Sequence, residues 1–204
     1  MRSEVITSAR ATADLLAERG GGSAFAIGGE GVVRALADAG LEVLDGEPDR
    51  ADVVVVGIAE DLSYAQLRTG CVLVRRGARL VATNADPTFP AAGGEEWPGA
   101  GALLAAIVTA TGATPEVVGK PFAPLFEAAR ARAGAAAPLV IGDRLDTDIA
   151  GAQALGWDSL LVLTGVSTRE ELAGSAVRPT YVGDDLRVLV SESTQNASGR
   201  AGIP

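Results

Sequence analysis

The amino-acid sequence predicts an α/β fold. Short β-branched runs alternate with stretches of helical periodicity, and glycines follow most of the helical stretches. The run "ADVVVVGIA" is apolar throughout, as in strands covered on both faces. In chain order, "TSARATADLLAERGGG" reads as a helix with Thr7 or Ser8 as N-cap and glycines beyond its last turn. "SAFAIGG" is a strand, and "EGVVRALADAG" is a helix closed by Gly40. After the all-valine strand come the helix "SYAQLRTGCVLVRRG" and the strand "ARLVATN". "ADPTFPAAGGEEWPGAG", dense in Pro and Gly, reads as a loop before the helix "GALLAAIVTATG". The cycle then restarts: "PEVVGKP", a helix through "FAPLFEAARARAG", the strand "PLVIGD" and the helix "DTDIAGAQALG". The strand "SLLVLTG", a helix from near Thr168 and the weak strand "PTYVGD" complete it. The polar, aperiodic residues 191–204 are expected to be disordered. The Pro/Gly-rich loop and the restart near Ala113 place a boundary there, with one unit over 1–113 and a second over 114–190.

Composition narrows the function classes. With 204 residues, 48% of them apolar, the chain has ample core material. Seventeen basic against 26 acidic residues give a formal charge of −9, which argues against general nucleic-acid or anionic-membrane binding. A single cysteine, Cys71, excludes an intrachain disulfide, fits a reducing compartment and reads as helix packing. No leader pattern opens the chain and no apolar run reaches membrane-spanning length, so a cytoplasmic protein is expected. The absence of histidine excludes His-based triads and His-ligated metals, leaving oxygen to hold any ion.

Two places carry chemistry. The "GGEG" of Gly28 to Gly31 invites a dinucleotide-binding reading, but Arg34 stands where the third glycine of that fingerprint belongs, and a plain strand-to-helix turn explains it. "GDRLDTDI" gathers Asp143, Asp146 and Asp148 between a strand and a helix. Asp146 reads as a helix N-cap, and Asp148 in a first turn favours the helix dipole. Asp143 has no such local reason: it ends an apolar strand, where open α/β sheets place ligands, and suits a hard divalent cation that keeps its waters. Lys120 is the sole lysine among the seventeen basic residues. Pro121 reads as the first helical residue, so a cation there opposes the helix dipole, and a rule broken locally points to function. Lys120 and Asp143 are expected at one edge of a parallel sheet, equipped to grip a phosphoryl group.

"GKP" followed by "GDRLDTDI" resembles the third and fourth motifs of the haloacid dehalogenase (HAD) superfamily, in its NagD-like, type IIA phosphatase branch. "DVVVVG", "RLVATNAD", "PGAGALLAAI", "PEVVGKP" and "VLTGVSTREEL" agree in order, so the similarity runs from about Val5 to Leu189. The resemblance implies an α/β cap domain followed by the C-terminal half of a Rossmann-like HAD core. It implies hydrolysis of a small phosphorylated metabolite through an aspartyl-phosphate, with Mg2+ as cofactor. Lys120 would hold nucleophile and phosphate, Asp143 and Asp148 would form and support the metal site, and Asn84 and Asp86 would face the substrate. A homodimer through the cap is a further implication. The family's first motif, an Asp-x-Asp whose first carboxylate is the nucleophile, has no counterpart: the sole Asp-x-Asp is Asp146-Thr147-Asp148, within the fourth motif. The hydroxyl-bearing second motif is absent too. The resemblance therefore implies a chain that begins after the first core segment and is inactive alone, its strand "PLVIGD" left with an open edge. The alternative is a non-catalytic remnant that binds a phosphorylated ligand or a protein partner.

Overall fold

The computed structural model describes residues 5–190 and the backbone of Gln195–Asn196. It is an α/β structure in two compact units, Met1–Gly119 and Lys120–Pro204. No helix among the described residues is long and apolar enough to cross a membrane.

The first unit runs α1 (Ser8–Glu18), β1 (Ser23–Ile27), α2 (Glu30–Asp38), β2 (Glu42–Leu44), β3 (Val53–Val56), α3 (Tyr64–Arg75), β4 (Arg79–Ala82), β5 (Thr88–Pro90), β6 (Glu96–Pro98), α4 (Ala100–Thr111) and β7 (Glu116–Val117). Thr7 caps α1 by accepting from the Arg10 amide, and Ser63 with Gln66 forms a capping box on α3. Five strands form a parallel sheet in the order β2-β1-β3-β4-β7. Val53 to Val56 are fully buried, as an all-apolar central strand requires. Phe25, Ile27, Val54, Val56, Leu80 and Ala82 meet Leu73 of α3 and Leu104 and Ile107 of α4 in one core. Alternate residues Ala24, Val53, Val55 and Val81 turn to the other face and are equally buried. Cys71 packs against this core, and burial pushes its thiol up, away from the reactive thiolate.

Asp52 fastens the leading ends of β1 and β3. Its Oδ2 accepts from the Ser23 amide at 2.7 Å and the Ser23 hydroxyl at 2.8 Å. These bonds, the backbone one first, hold the Asp52 carboxyl below the ordinary carboxylate range. A lowered folded-state pKa adds stability that is complete above the unfolded value, about 3.9, and is lost as pH falls through the folded value. The stability difference between the wild type and Asp52→Asn is expected to be largest near neutral pH and to shrink below about pH 4. Urea midpoints measured across that range check it; a difference that grew in acid would refute it.

The second unit runs α5 (Ala123–Ala133), β8 (Leu139–Gly142), a π-helical turn over Leu145–Ile149, α6 (Ala150–Leu155), β9 (Asp158–Val162), α7 (Arg169–Gly174), β10 (Tyr181–Gly183), a short 3-10 turn over Leu186–Leu189 and β11 (Gln195–Asn196). Its sheet is ordered β11-β10-β9-β8, with β8, β9 and β10 parallel and β11 antiparallel. Among the described residues β8 is an edge strand, and Ile141 within it is 41% exposed, an unusual state for a strand so apolar. Leu145, Ile149 and Leu161 form the local core. Phe126 stands edge-on to Trp157, whose ring lies under the Arg130 guanidinium.

Three expectations shift. The boundary moves from residue 113 to Gly119, because Glu116–Val117 pair with Val81 and Ala82 of β4 and so belong to the first sheet. The short strand β2 was not foreseen, and the Pro/Gly-rich loop contains a hairpin, β5–β6, held by an edge-on contact of Phe89 and Trp97. The disorder expected of residues 191–204 lies outside the described residues, apart from the paired backbone of Gln195–Asn196.

Candidate active site

Asp143 leaves the carboxyl end of β8 and is clasped by the loop after β9. Its Oδ2 accepts from the Val166 amide at 2.9 Å, and its backbone oxygen accepts from the Ser167 amide at 2.9 Å. The loop fits closely: a Cβ on Gly165 would lie 2.0 Å from Asp143 Oδ2. Buried Ser167 also receives the Leu145 amide on its hydroxyl at 3.0 Å, so one residue supports both sides of the turn after β8. Oδ1 of Asp143 has no hydrogen-bond partner among the described residues.

From Leu145 the chain winds as a π turn, with the amides of Asp148 and Ile149 both donating to the Arg144 oxygen at 3.1 Å. Asp148 is thereby turned back over Gly142. Its side chain is 8% exposed; Oδ1 accepts from Lys120 Nζ at 2.7 Å and Oδ2 from the Arg144 amide at 3.3 Å. Gly142 makes room for it, since a Cβ there would meet Asp148 Cβ at 2.3 Å. Asp146 is not the N-cap the sequence predicts. The turn begins before it, and its two oxygens instead take Nε and Nη2 of Arg144 at 3.0 and 2.7 Å, which hold its carboxyl below the usual range.

Lys120 is also placed differently from expectation. The first helical residue of α5 is Ala123, with Phe122 at the N-cap, and the Lys120–Pro121 peptide is cis. The strand before Lys120 belongs to the first unit's sheet, so no shared sheet edge brings Lys120 to Asp143. The meeting is made by Asp148, bonded to the ammonium on one oxygen and to the backbone that follows Asp143 on the other. The apparently uncompensated cation is compensated by a carboxylate 28 residues away. Replacing Lys120 with Met strands a nearly buried carboxylate. Because the lysine itself is 45% exposed, the loss is discounted from the buried-pair range to about 1–2 kcal/mol, read as a lower urea midpoint.

Asn84 and Asp86 lie in the first unit, after β4. The Thr83 hydroxyl donates to Asn84 Oδ1 at 2.9 Å, and Asn84 Nδ2 donates to Asp86 Oδ2 at 2.8 Å. They form a pair with each other, and α4 is pressed onto their backbone: the Gly101 amide donates to the Asp86 oxygen at 2.9 Å. Sequence reasoning missed Gly142, Gly165 and Ser167 as supports. For Gly165 and Ser167 the signal was faint, a small-residue loop, "TGVS", following a buried strand; for Gly142 it was a glycine directly before Asp143.

Among the described residues no group of three His, Cys, Asp or Glu side chains stands together to cage an ion. The donor set still fits a cation that keeps most of its water and takes one or two carboxylates, because Asp143 Oδ1 is unclaimed. Asp148, occupied by Lys120 and the Arg144 amide, fits as a neighbour of that ion.

A family model described as HAD-hydrolase-like matches residues 117–189. The chain is 43% identical over 194 residues to the D-glycerol 3-phosphate phosphatase of Mycobacterium tuberculosis, covering 93% of this chain and 55% of that protein. It is 37% identical over 197 residues to the acid sugar phosphatase of Staphylococcus haemolyticus, covering 95% of this chain and 74% of that one. The crystal structure of the M. tuberculosis glycerol phosphate phosphatase in complex with magnesium superposes with a TM-score of 0.86 at 41% identity, over 95% of this chain and 59% of that one. The chain thus spans between a half and three-fifths of the mycobacterial phosphatase. With the acid sugar phosphatase matched over most of its own length, these 204 residues belong to the haloacid dehalogenase superfamily, in its NagD-like phosphatase branch.

Proposed function

We propose that the chain is the cap and the C-terminal core half of a Mg2+-dependent phosphatase acting on a small phosphate monoester, with a phosphorylated polyol or sugar as substrate class. The observation that carries it is the 2.7 Å pair of Lys120 Nζ with Asp148 Oδ1, next to Asp143 at the open end of β8. Lys120 keeps nearly half its side chain exposed while its ammonium is aimed by Asp148, so its remaining donors are available to a phosphate oxygen. Asp143 offers its unclaimed oxygen to the metal, while the Val166 amide holds its carboxylate and the Ser167 amide its backbone oxygen. Mg2+, when bound there, supplies charge neutralisation on the phosphoryl oxygens. Asn84 and Asp86, rigidified by each other, are the substrate-facing pair of the cap.

Within these residues no Asp-x-Asp other than Asp146-Thr147-Asp148 exists, and that one is spent on Arg144 and Lys120. Covalent transfer needs a carboxylate acceptor from outside this sequence, so the 204 residues alone are expected to bind and not to turn over. Calorimetric titration with Mg2+ and orthovanadate tests the grip apart from turnover. Joint binding lost in Asp143→Asn and weakened about tenfold or more in Lys120→Met supports it, a charged hydrogen bond being worth about 1.5–3 kcal/mol. Binding indifferent to both substitutions sinks it. Hydrolysis restored when a relative's Asp-x-Asp segment is supplied supports the enzyme reading; binding with activity still at background favours the remnant.

A further inference from the structure

The first unit contains a cavity that the phosphatase reading does not use. It measures about 530 Å³, within the range of small-ligand sites, and lies between β1, β2 and α3. Phe25, Val43 and Leu44 give it an apolar floor, and Asp45 and Glu47 stand among its lining residues. The segment that carries those acids is strapped over α3 at two points: Arg68 pairs with Glu47, and Arg76 Nη1 donates to the Asp49 oxygen at 2.9 Å. The cavity is therefore a cleft, open to solvent on one side, whose rim is tied to α3 at two points.

Thr69 gives this space a polar anchor. It lines the cavity from α3 and is only 6% exposed. Its hydroxyl has no hydrogen-bond partner among the described residues, unlike Thr12 and Thr111, whose hydroxyls bond back to the oxygen four residues earlier in their helices. It is not one of the side-chain atoms sealed from solvent without a partner, so its remaining access is to the cavity. A nearly buried hydroxyl left unbonded costs stability unless something enters to meet it.

The charge around it selects the ligand. The lining includes two carboxylates and no lysine or arginine. Glu47 is neutralised by Arg68, and Asp45 Oδ1 receives the adjacent Gly46 amide at 2.7 Å, while Oδ2 has no partner among the described residues. Anions, phosphates included, are disfavoured here. We propose that this cavity binds a small primary amine with an aromatic or aliphatic body, its ammonium on Asp45, its body on Phe25 and Leu44, and a polar end on Thr69.

Amide-resolved NMR titration of the full 204-residue chain tests this with tyramine and, as its charge-reversed counterpart, 3-(4-hydroxyphenyl)propionate. The proposal expects saturable shifts for tyramine at residues 25, 43–47 and 69, and none for the carboxylate. Thr69→Val keeps shape and removes the hydroxyl, and is expected to weaken tyramine about fivefold; Asp45→Asn is expected to weaken it by a similar factor. Lys120→Met is expected to leave the tyramine shifts and affinity as they are while it weakens vanadate binding, so this proposal and the phosphatase reading stand or fall separately. No saturable shift at these residues, equal binding of the carboxylate, or affinity unchanged in Thr69→Val would overturn it.

Discussion

Replacing Gly142 with alanine is expected to unseat Asp148, lower the stability of the second unit by about 2 kcal/mol and disconnect Lys120. The added Cβ would lie 2.3 Å from Asp148 Cβ, 2.4 Å from Cγ and 2.6 Å from Oδ2. The first of these is the rigid root of a side chain that is 8% exposed, so no rotamer change relieves it. Alanine offsets at most about 0.5–1 kcal/mol by reducing unfolded-state freedom, against an overpacking cost of about 1–3 kcal/mol or more. The steric term wins. Coupling supplies a sharper readout than the midpoint alone. Lys120→Met costs about 1–2 kcal/mol in the native background and is expected to cost close to nothing once Gly142→Ala has displaced its partner. Additive losses in the double variant would mean that Asp148 keeps its place despite the methyl group, and the close approach would then carry no function.

Much of this was legible because it is local. Thr7, Ser63 and Thr168 announce the starts of three helices through side-chain oxygens that accept the amide three residues on, and all three caps are formed. Val53 to Val56 declare a doubly covered strand by lacking any polar alternation. The features that escaped are those with no local pattern. A three-residue strand such as Glu42–Leu44 is too short to show a period, and only pairing defines it; pairing alone likewise puts Glu116–Val117, a strand the sequence does suggest, in the first unit's sheet. The hairpin over Thr88–Pro98 hides in Pro and Gly because an antiparallel ladder and an edge-on ring contact define it, and neither leaves a period in the sequence.

The site divides in the same way. Asp143 was readable from its place at a strand end, and the structure puts it there. Lys120 was singled out for a helix dipole it does not oppose; its significance came from rarity, and its true partner lies 28 residues on. Asp146 was misread because a π turn, whose hydrogen bonds skip five residues, leaves no trace in a pattern of 3.6. Ser167 leaves only a faint local trace in "TGVS", and its role is not local, since it accepts the Leu145 amide from 22 residues away.

The same steric reasoning makes a matched test in the first unit, where two glycines occupy equivalent places. Gly101 is the second residue of α4 and Gly31 the second residue of α2. Neither has a positive φ, so neither is needed for backbone freedom. A Cβ on Gly31 meets nothing within 4 Å, whereas one on Gly101 would lie 2.2 Å from the Ala85 oxygen, 2.6 Å from its carbonyl carbon and 2.8 Å from the Asp86 oxygen. Those are backbone atoms and cannot rotate away. Gly31→Ala is expected to leave stability unchanged or raise it by up to about 1 kcal/mol through helix propensity. Gly101→Ala receives the same gain and is expected to lose about 2 kcal/mol net, because α4 must lift off the segment carrying Asn84 and Asp86. The 2.9 Å bond from the Gly101 amide to Asp86 then breaks, so faster amide exchange at residue 101 should accompany the lower unfolding midpoint. If both variants behave alike, α4 does not hold that segment, and the rigidity ascribed to the Asn84–Asp86 pair must come from elsewhere.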